Sequence, residues 1–456
     1  MTRLLQIIQD RLPLGPAPVA VLIIALLTGM FLLSESSSQQ RADLRLWTFS
    51  NTHYDSFKDV IPAFEAEHTG VDVELQLVHF RVLDRRLRAA FWAGLDVPEL
   101  VEINFNRVGG FFRGPIETVG FVDLTPYLER SDDTGATYLD RILPTRLEAY
   151  RREGKVFGLP CDVHPHALAY RRDIFEAEGI DPDDIETWDD LVQIGRRLTI
   201  PDQRYMLHLS DTGADTFEAL LHQRDGGLFD AEGNVRMDDE VAVRTMVWYV
   251  PLIAGPDAIA DNPADAGQAY YRAIADGYII SFLCPDWLSS KLELSLPAMS
   301  GKLALMPLPA VEPGGRRTTT RSGTMIGMTR ATQDRDAAWK LVEHLYFDRE
   351  QLADRFRTTN TLPPDRGVWD HPAFHEPREY WSGQRIGEIF IELAEDVPVQ
   401  YSSAYSELAA SKVGEVVAAS CAYYKTYGGD GFEAFVRDRL KQAADDVRRH
   451  MERNPT

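Results

Sequence analysis

The feature that most constrains the fold is an alternation of strand-like and helix-like segments after residue 43. Strands are predicted at residues 44–49, 71–77 and 100–104, and helical apolar spacing occurs at residues 57–64 and 83–91. Gly70 and Gly94 follow the two helical segments, as glycine commonly does at helix ends. This order predicts parallel strands joined by right-handed crossovers, and therefore the α/β class.

Polar side chains follow the first strand and lie at the end of the third. Ligands meet parallel sheets of this kind at the carboxyl ends of the strands. Candidate ligand-binding residues are therefore Asn51, His53, Glu102 and Asn104. The alternatives are that Asn51 and His53 are ordinary loop or helix-capping residues, and that Glu102 is a solvated carboxylate.

The chain is strongly acidic, with a formal net charge of −22 over 456 residues. Such a charge argues against nucleic acid and against anionic membrane surfaces as partners. Solubility is its ordinary explanation. The length exceeds what one simple core accommodates and favours two lobes or more.

The three cysteines, Cys161, Cys284 and Cys421, are too few and too scattered for a disulfide framework. None belongs to a C-x-x-C motif, so neither a zinc site nor any other cofactor site is predicted. Outside the cytoplasm, one pair could form a disulfide and leave one thiol over.

An apolar run at residues 17–33 follows Arg3 and Arg11. Its length is at the lower limit for a membrane-spanning helix and slightly long for a signal peptide. Residues 1–34 are thus predicted to be an N-terminal transmembrane anchor or signal helix, and residues 35–42 a linker. We favour the uncleaved anchor, since neither a lipobox cysteine nor a clean A-x-A site is present. The two arginines place the chain beyond Ser34 outside the cytoplasm.

The densest local pattern lies at residues 154–199. His164 and His166 flank Pro165, which imposes an extended or turned backbone between two short predicted strands at residues 156–160 and 167–170. Thr187 is the predicted N-cap of a helix with acidic residues in its first turn and an apolar face behind them. Strand, turn, strand and capped helix therefore follow one another within fewer than fifty residues.

The order of GKVFGLP, ALAYRRDIF, GI and TWDDL in that segment resembles the extracytoplasmic solute-binding proteins of ABC importers. The resemblance is to the large family of sugar-binding proteins that includes the maltose-binding proteins. It continues through FVDLTPYL at 121–128, GYIISFLCPDWL at 277–288 and AAWKLVEHLYF at 337–347. At 359–364 the sequence TNTLPP departs from the G-x-x-P pattern of many members.

This resemblance implies an α/β, two-lobed periplasmic-binding-protein type II fold with hinge strands. Lobe one is expected at 43–157 and 320–361, and lobe two at 158–310 and 362–456, the latter ending in two long helices. The implied function is that of a bacterial, periplasmic binding component. It would bind a monosaccharide or oligosaccharide between the lobes and pass it to ABC transporter permease subunits, without catalysis.

Sugar binding requires aromatic faces for the C–H surfaces of the ring and polar side chains for its hydroxyls. Trp287, directly after Asp286, is the stacking candidate, and a core tryptophan is the alternative. The resemblance places Asp162 and His164 at the first crossing between lobes. Ser322 and Gly323 are further candidates for backbone and hydroxyl contacts.

Two other classes of function stay open, a sensory or adaptor binding protein and a secreted carbohydrate-active enzyme. The sequence contains no G-x-S-x-G, H-E-x-x-H or P-loop motif. Adjacent acids such as Asp189 and Asp190 point different ways on a helix, whereas glycosidase carboxylates face each other across the bond. The binding-protein class is therefore the leading prediction.

Overall fold

The computed structural model describes Val21 and residues 42–112, 114–131 and 135–454. The predicted anchor or signal helix at 1–34 and the linker at 35–42 lie outside the described residues, apart from Val21 and Ala42. Within the described ranges, no helix combines the length and the apolar character needed to cross a membrane.

The first sheet has five strands: β1 (Leu44–Thr48), β2 (Val73–Leu77), β3 (Leu100–Asn104), β6 (Leu159–Pro160) and β12 (Thr324–Met328). Their order across the sheet is β2-β1-β3-β12-β6. β1 pairs in parallel with β2 and β3, whereas β12 runs antiparallel to β3 and β6. The predicted strand and helix alternation over residues 44–104 is confirmed.

Helices α1 (Asn51–Glu67) and α2 (Phe80–Ala93) connect the first three strands. α1 begins after Ser50, whose hydroxyl accepts a hydrogen bond from the backbone N–H of His53 at 3.2 Å. α2 ends at Gly94, where φ is 64° and the backbone is left-handed. The buried face of α1 repeats at helical spacing and consists of His53, Phe57, Ile61 and Phe64.

The second sheet also has five strands: β7 (His166–Arg171), β8 (Tyr205–His208), β9 (Ala260–Asp261), β10 (Ile279–Pro285) and β11 (Leu303–Pro307). Their order is β11-β7-β10-β8-β9. β7 runs antiparallel to β10 and β11, and β8 runs parallel to β10 and β9. We call this sheet with its helices the second lobe, and the first sheet with its helices the first lobe.

Helix α8 (Trp188–Leu198) begins with a capping box. The Thr187 hydroxyl accepts from the backbone N–H of Asp190 at 3.3 Å, and the Asp190 carboxylate accepts from the N–H of Thr187 at 2.8 Å. The predicted N-cap at Thr187 is confirmed.

The remaining elements complete the two lobes. The other helices are α3 (Phe105–Val108), α4 (Thr125–Leu128), α5 (Tyr138–Arg141), α6 (Pro144–Leu147), α7 (Arg172–Ala177), α9 (Asp215–Gln223), α10 (Glu240–Ile253), α11 (Gln268–Ala275), α12 (Asp286–Ser295), α13 (Arg335–Tyr346), α14 (Arg349–Thr359), α15 (Ile386–Ala394), α16 (Ser406–Tyr427) and α17 (Phe432–Arg453). A short hairpin joins β4 (Arg151–Arg152) and β5 (Lys155–Val156). Short 3-10 turns occur at Ile116–Thr118, Glu148–Tyr150, Pro182–Asp184, Pro297–Met299, Arg366–Val368, Pro372–His375 and Glu379–Trp381.

Apolar side chains cover both faces of the second sheet. Along β7, Ala167 and Ala169 pack into one core, and Leu168 and Tyr170 pack into another. This alternation is the two-residue period of a strand buried on both faces. The two long C-terminal helices, α16 and α17, belong to the core on the Leu168 side.

The predicted second part of lobe one, 320–361, contains the helices α13 and α14. Trp339 of α13 packs in a core of the first lobe, together with Leu44. Leu352 and Phe356 of α14 pack instead with Phe282 of the second lobe. The apolar side chains one turn apart on α14 therefore face the second core.

Three segments meet where the chain passes between the lobes: residues 161–165, 318–323 and 360–365. The backbone N–H of Val163 donates to the carbonyl of Leu362 at 3.0 Å, and that of His166 to the carbonyl of Thr319 at 2.9 Å. These bonds tie the three segments together at the base of the space between the lobes.

Cys161, Cys284 and Cys421 are all buried and all free thiols. The single disulfide that the sequence left open is therefore absent from the structure. Burial raises the pKa of the Cys161 and Cys284 thiols well above the usual range.

Candidate functional site

A cleft of about 510 Å³ lies between the lobes and is lined by residues of both. The first lobe contributes Phe49, Ser50, Thr52, His53 and Asn104. The second lobe contributes His166, His208, Asp215, Thr216, Asp265, Tyr270, Tyr271, Trp287 and Lys291, among others. The crossing segments form its base with Asp162, His164, Arg321, Ser322, Gly323 and Thr361. The size is ordinary for a small-molecule site.

Seven of the ten residues predicted from the sequence line this cleft. They are His53, Asn104, Asp162, His164, Trp287, Ser322 and Gly323. Glu102 and Asp286 lie behind the lining, fully buried, and each binds a lining residue. Asn51 is exposed at the first position of α1 and does not line the cleft.

Glu102 holds His53 against the wall of the first lobe. The Glu102 carboxylate accepts from Nδ1 of His53 at 2.7 Å and from the Tyr346 hydroxyl at 2.6 Å. It also accepts from the Thr48 hydroxyl. Although burial opposes ionisation, His53 and these hydroxyls lower the pKa of Glu102. No described residue hydrogen-bonds Nε2 of His53, so this nitrogen is available in the cleft.

Asn104 ends β3 and also caps the short helix α3. Its side-chain oxygen accepts from the backbone N–H of Asn106 at 3.1 Å. The amide nitrogen remains for other partners, because the cap engages only the oxygen.

His164 sits between two buried carboxylates at the base of the cleft. Its Nδ1 lies 2.6 Å from Oδ1 of Asp286, and its Nε2 lies 3.1 Å from Oδ2 of Asp162. Asp286 also accepts from the backbone N–H groups of Trp287 at 2.6 Å and Leu362 at 2.8 Å. The Asp286 carboxylate thus links His164, Trp287 and the crossing segment at residues 360–365.

This arrangement favours the charged form of His164. Burial opposes protonation, but the carboxylates of Asp162 and Asp286 raise the pKa of His164 to about 9. Burial likewise opposes ionisation of Asp162, yet His164 and Arg146 lower its pKa below the usual range. In contrast, burial lowers the pKa of neighbouring His166 to about 3, so that side chain is neutral.

Arg146 is the main residue of the crossing region that sequence reasoning missed. It is buried, and its guanidinium donates to the carbonyls of Ser322 at 2.9 Å and Asp162 at 3.2 Å. Gly323 has a φ of 145°, and a Cβ placed there would lie 2.3 Å from Nη2 of Arg146. The arginine therefore occupies the space that the missing side chain leaves free.

Trp287 lies in the first turn of α12 and is only partly buried. Nζ of Lys291, one turn further on, lies 4.5 Å from the centroid of the indole ring. This cation–π contact covers part of one ring surface. Trp287 also packs against the second-lobe core, so it combines a structural contact with a surface in the cleft.

Two tyrosines on α11 were not predicted, and we call them and Trp287 the aromatic wall of the cleft. Tyr270 and Tyr271 both line the cleft, with ring centroids 5.8 Å apart. The ring of His208 lies 5.0 Å from that of Tyr270 in an edge-on orientation. Burial lowers the pKa of His208, so its ring is neutral beside them. The paired tyrosines after a polar turn are a sequence signal that points to such a site.

Arg321, also not predicted, brings a cation to the cleft. Its guanidinium donates to Glu218 at 3.0 Å and lies 2.6 Å from a carboxylate oxygen of Asp215. Burial opposes the charge, but Glu218 and Asp215 raise its pKa. Among the described residues, no group of three or more His, Cys, Asp or Glu side chains is arranged to hold a metal ion.

A second cavity, of about 550 Å³, has a separate lining that includes Phe105, His222 and Tyr401. Its charged side chains are already paired within the protein: Arg236 with Asp239, Arg316 with Asp225, and Glu218 with Arg321. The cleft is the better candidate site, because residues of all three crossing segments form its base and seven of the predicted residues line it.

The chain belongs to the bacterial extracellular solute-binding protein family, whose family model matches residues 50–352. The resemblance seen in the sequence is thereby confirmed. An arabinooligosaccharide-binding protein of Halalkalibacterium halodurans is 24% identical over 361 residues, which cover 78% of this chain and 79% of that protein. A second arabinooligosaccharide-binding protein, from Bacillus subtilis, is 23% identical over 387 residues, covering 83% and 87%.

Solved structures show the same fold. The sugar-binding protein MalE from Xanthomonas citri superposes with a TM-score of 0.73 at 18% identity, covering 91% of this chain and 100% of that one. The predicted α/β, two-lobed solute-binding fold is therefore confirmed. The N-terminal helix that accompanied this prediction falls outside the described residues.

Proposed function

We propose that this chain is the extracytoplasmic binding component of an ABC importer, which binds a carbohydrate between its lobes and delivers it to the permease subunits. The observation that carries the proposal is a cleft lined by both lobes, in which the rings of Tyr270, Tyr271 and Trp287 lie beside buried polar groups. The names of the arabinooligosaccharide-binding relatives support an oligosaccharide as the solute.

The aromatic wall is the proposed stacking surface. Trp287, Tyr270 and Tyr271 line the cleft, and the C–H faces of a sugar ring pack well against aromatic surfaces. Because Lys291 covers part of Trp287, a sugar would stack on the uncovered part or displace the ammonium group. Displacement would cost about 0.5–1 kcal/mol, because Lys291 is exposed.

Sugar hydroxyls are assigned to polar groups around the base of the cleft. Nε2 of His53, the amide nitrogen of Asn104 and the hydroxyl of Ser322 are the proposed direct contacts, with Asp162 and His164 at the base. Each buried hydroxyl left without a partner costs about 1–3 kcal/mol, so such groups select the solute. Glu102 and Asp286 act as positioning residues, because their oxygens bind His53, His164 and the backbone.

Solute binding would change the equilibrium between open and closed lobes. A ligand shifts such an equilibrium only through contacts that differ between the two states. A sugar between Trp287 and His53 touches the second and first lobes at once, which favours the closed state. The closed state is the form proposed to engage the permease.

For location, we propose that residues 17–33 anchor the chain in the cytoplasmic membrane, with export after signal cleavage as the alternative. The apolar run, the two arginines before it and the polar linker after it support this proposal. The protein would act by binding alone, as the binding proteins of its family do, and not as an enzyme.

The proposal is tested by a thermal-shift screen of a carbohydrate library on the full chain in mild detergent. A solute that binds only the folded state raises the melting temperature in a dose-dependent way. We expect an oligosaccharide to do so, and the shift to shrink in Trp287→Ala. Shifts with amino acids or other non-carbohydrate solutes alone would contradict carbohydrate binding. Sugar binding without stimulation of the permease ATPase would instead favour a sensory or adaptor protein.

A further inference from the structure

Helix α2 carries an exposed stripe of arginine and tryptophan on the first lobe. Arg81, Arg85 and Trp92 lie within about 40° of one another around the helix axis. Trp92 is 91% exposed, and Leu95, just after the helix, is 62% exposed. We call Arg81, Arg85, Trp92 and Leu95 the α2 stripe.

The charge of this surface is opposite to that of the chain. α2 contains four arginines and one aspartate, a formal charge of +3, on a protein of net charge −22. The acidic residue, Asp84, is buried and already bound by Arg88 and Arg107. Arg81 and Arg85 form no ion pair with any described residue. Their charges are therefore available to an anionic partner.

The Leu95 end of the stripe lies beside the point where the chain enters the first lobe, and Arg81 lies about 20 Å further along the helix. Asp96, next to Leu95, accepts from the guanidinium of Arg45 at 2.6 Å, and Arg45 is the second residue of β1. Ten residues, 34–43, separate the apolar run from β1. Such a linker spans at most about 35 Å, so an anchor at 17–33 would hold the α2 stripe close to the membrane.

We propose that the α2 stripe docks on the anionic lipid headgroups of the membrane that anchors the chain, an inference that rests on the anchor in the proposed function. Tryptophan is enriched at the membrane–water interface, and arginine is attracted to anionic lipids. The rest of the chain is acidic and is repelled by the same surface. A short linker holds the α2 stripe at an effective concentration of about millimolar relative to the membrane surface, so a weak affinity for the headgroups is sufficient for docking.

The test uses the full chain in vesicles of phosphatidylcholine with or without phosphatidylglycerol. Lipids brominated near the headgroup quench tryptophan fluorescence on contact. We expect more quenching in the wild type than in Trp92→Phe, and only when phosphatidylglycerol is present. Each arginine near such a surface contributes about fivefold, so Arg81→Glu with Arg85→Glu should weaken docking at least about thirtyfold.

The matched control reverses two exposed arginines on the other lobe, Arg196→Glu with Arg197→Glu on α8. This pair changes the net charge equally and should leave the quenching unchanged. Flotation of the vesicles at high salt reports the anchor separately. A chain that floats, yet shows equal quenching in wild type and Trp92→Phe, overturns the docking and leaves the anchor intact. A chain that leaves the vesicles at high salt overturns both.

Discussion

Replacing His164 with asparagine is expected to reduce the loss of stability that this protein shows at alkaline pH. His164 lies 2.6 Å from Asp286 and 3.1 Å from Asp162, and these carboxylates outweigh burial and raise its pKa from 6.5 to about 9. The folded protein therefore binds this proton more tightly than the unfolded chain does. Asparagine suits the site because φ at residue 164 is 55°, a left-handed conformation that asparagine tolerates.

The sign of the effect follows from the direction of the shift. A group whose pKa is raised on folding contributes stability that is fully present below its unfolded pKa of 6.5 and is lost as the pH rises through its folded pKa of about 9. A shift of that size corresponds to about 3 kcal/mol in the free energy of unfolding. In the wild type, Asp162, whose pKa is lowered, titrates in the acidic range and does not obscure the alkaline change.

The assay is urea unfolding of both proteins between about pH 6 and about pH 10, the range over which the contribution of His164 to the free energy of unfolding is lost. At the acidic end of this range, His164→Asn should be less stable by about 3–5 kcal/mol, since two buried carboxylates lose their partner. Its free energy of unfolding should then change less with pH, and the two curves should converge. Other groups, such as Lys291, titrate in both proteins and cancel in the difference. Parallel curves would refute the assignment of the raised pKa to His164.

Three further changes test the cleft and the crossing region. Trp287→Ala should weaken solute binding about five- to two-hundredfold in titration calorimetry, whereas a sharp fall in the melting temperature without solute would mark Trp287 as a core residue. Gly323→Ala should destabilise the protein by more than about 2 kcal/mol, because its Cβ meets Arg146. The control, Gly233→Ala, has open space around the new Cβ and should cost only about 1 kcal/mol, from backbone strain. Saturating solute should reduce the radius of gyration in small-angle scattering, and an unchanged profile would exclude lobe closure.

The elements that were predictable from the sequence are those set by local patterns. The strands and helices over residues 44–104 follow from periods of two and of about 3.6 residues. The cap at Thr187 follows from the residue type and the acids after it. The lining residues His53 and Trp287 could be placed because each follows a recognisable strand.

What the sequence did not predict depends on contacts between distant residues. Arg146 binds the carbonyl of Ser322, which is 176 residues away, and no local pattern indicates such a partner. The same holds for Arg321 and Glu218, and for the packing of α14 into the second lobe. Glu102 was correctly placed at the end of its strand, but its burial behind His53 depends on Tyr346, from a helix far along the chain.

The three buried cysteines also determine how this protein can be studied. Cys161 and Cys284 are fully buried and Cys421 nearly so, and burial raises the pKa of the Cys421 thiol to about 12. Thiols held in the protonated form react slowly with maleimides, because the thiolate is the nucleophile. A cysteine introduced on the surface of each lobe would therefore be labelled selectively in the native background. Fluorophore pairs attached in this way would report the distance between the lobes in single molecules, without prior removal of the natural thiols.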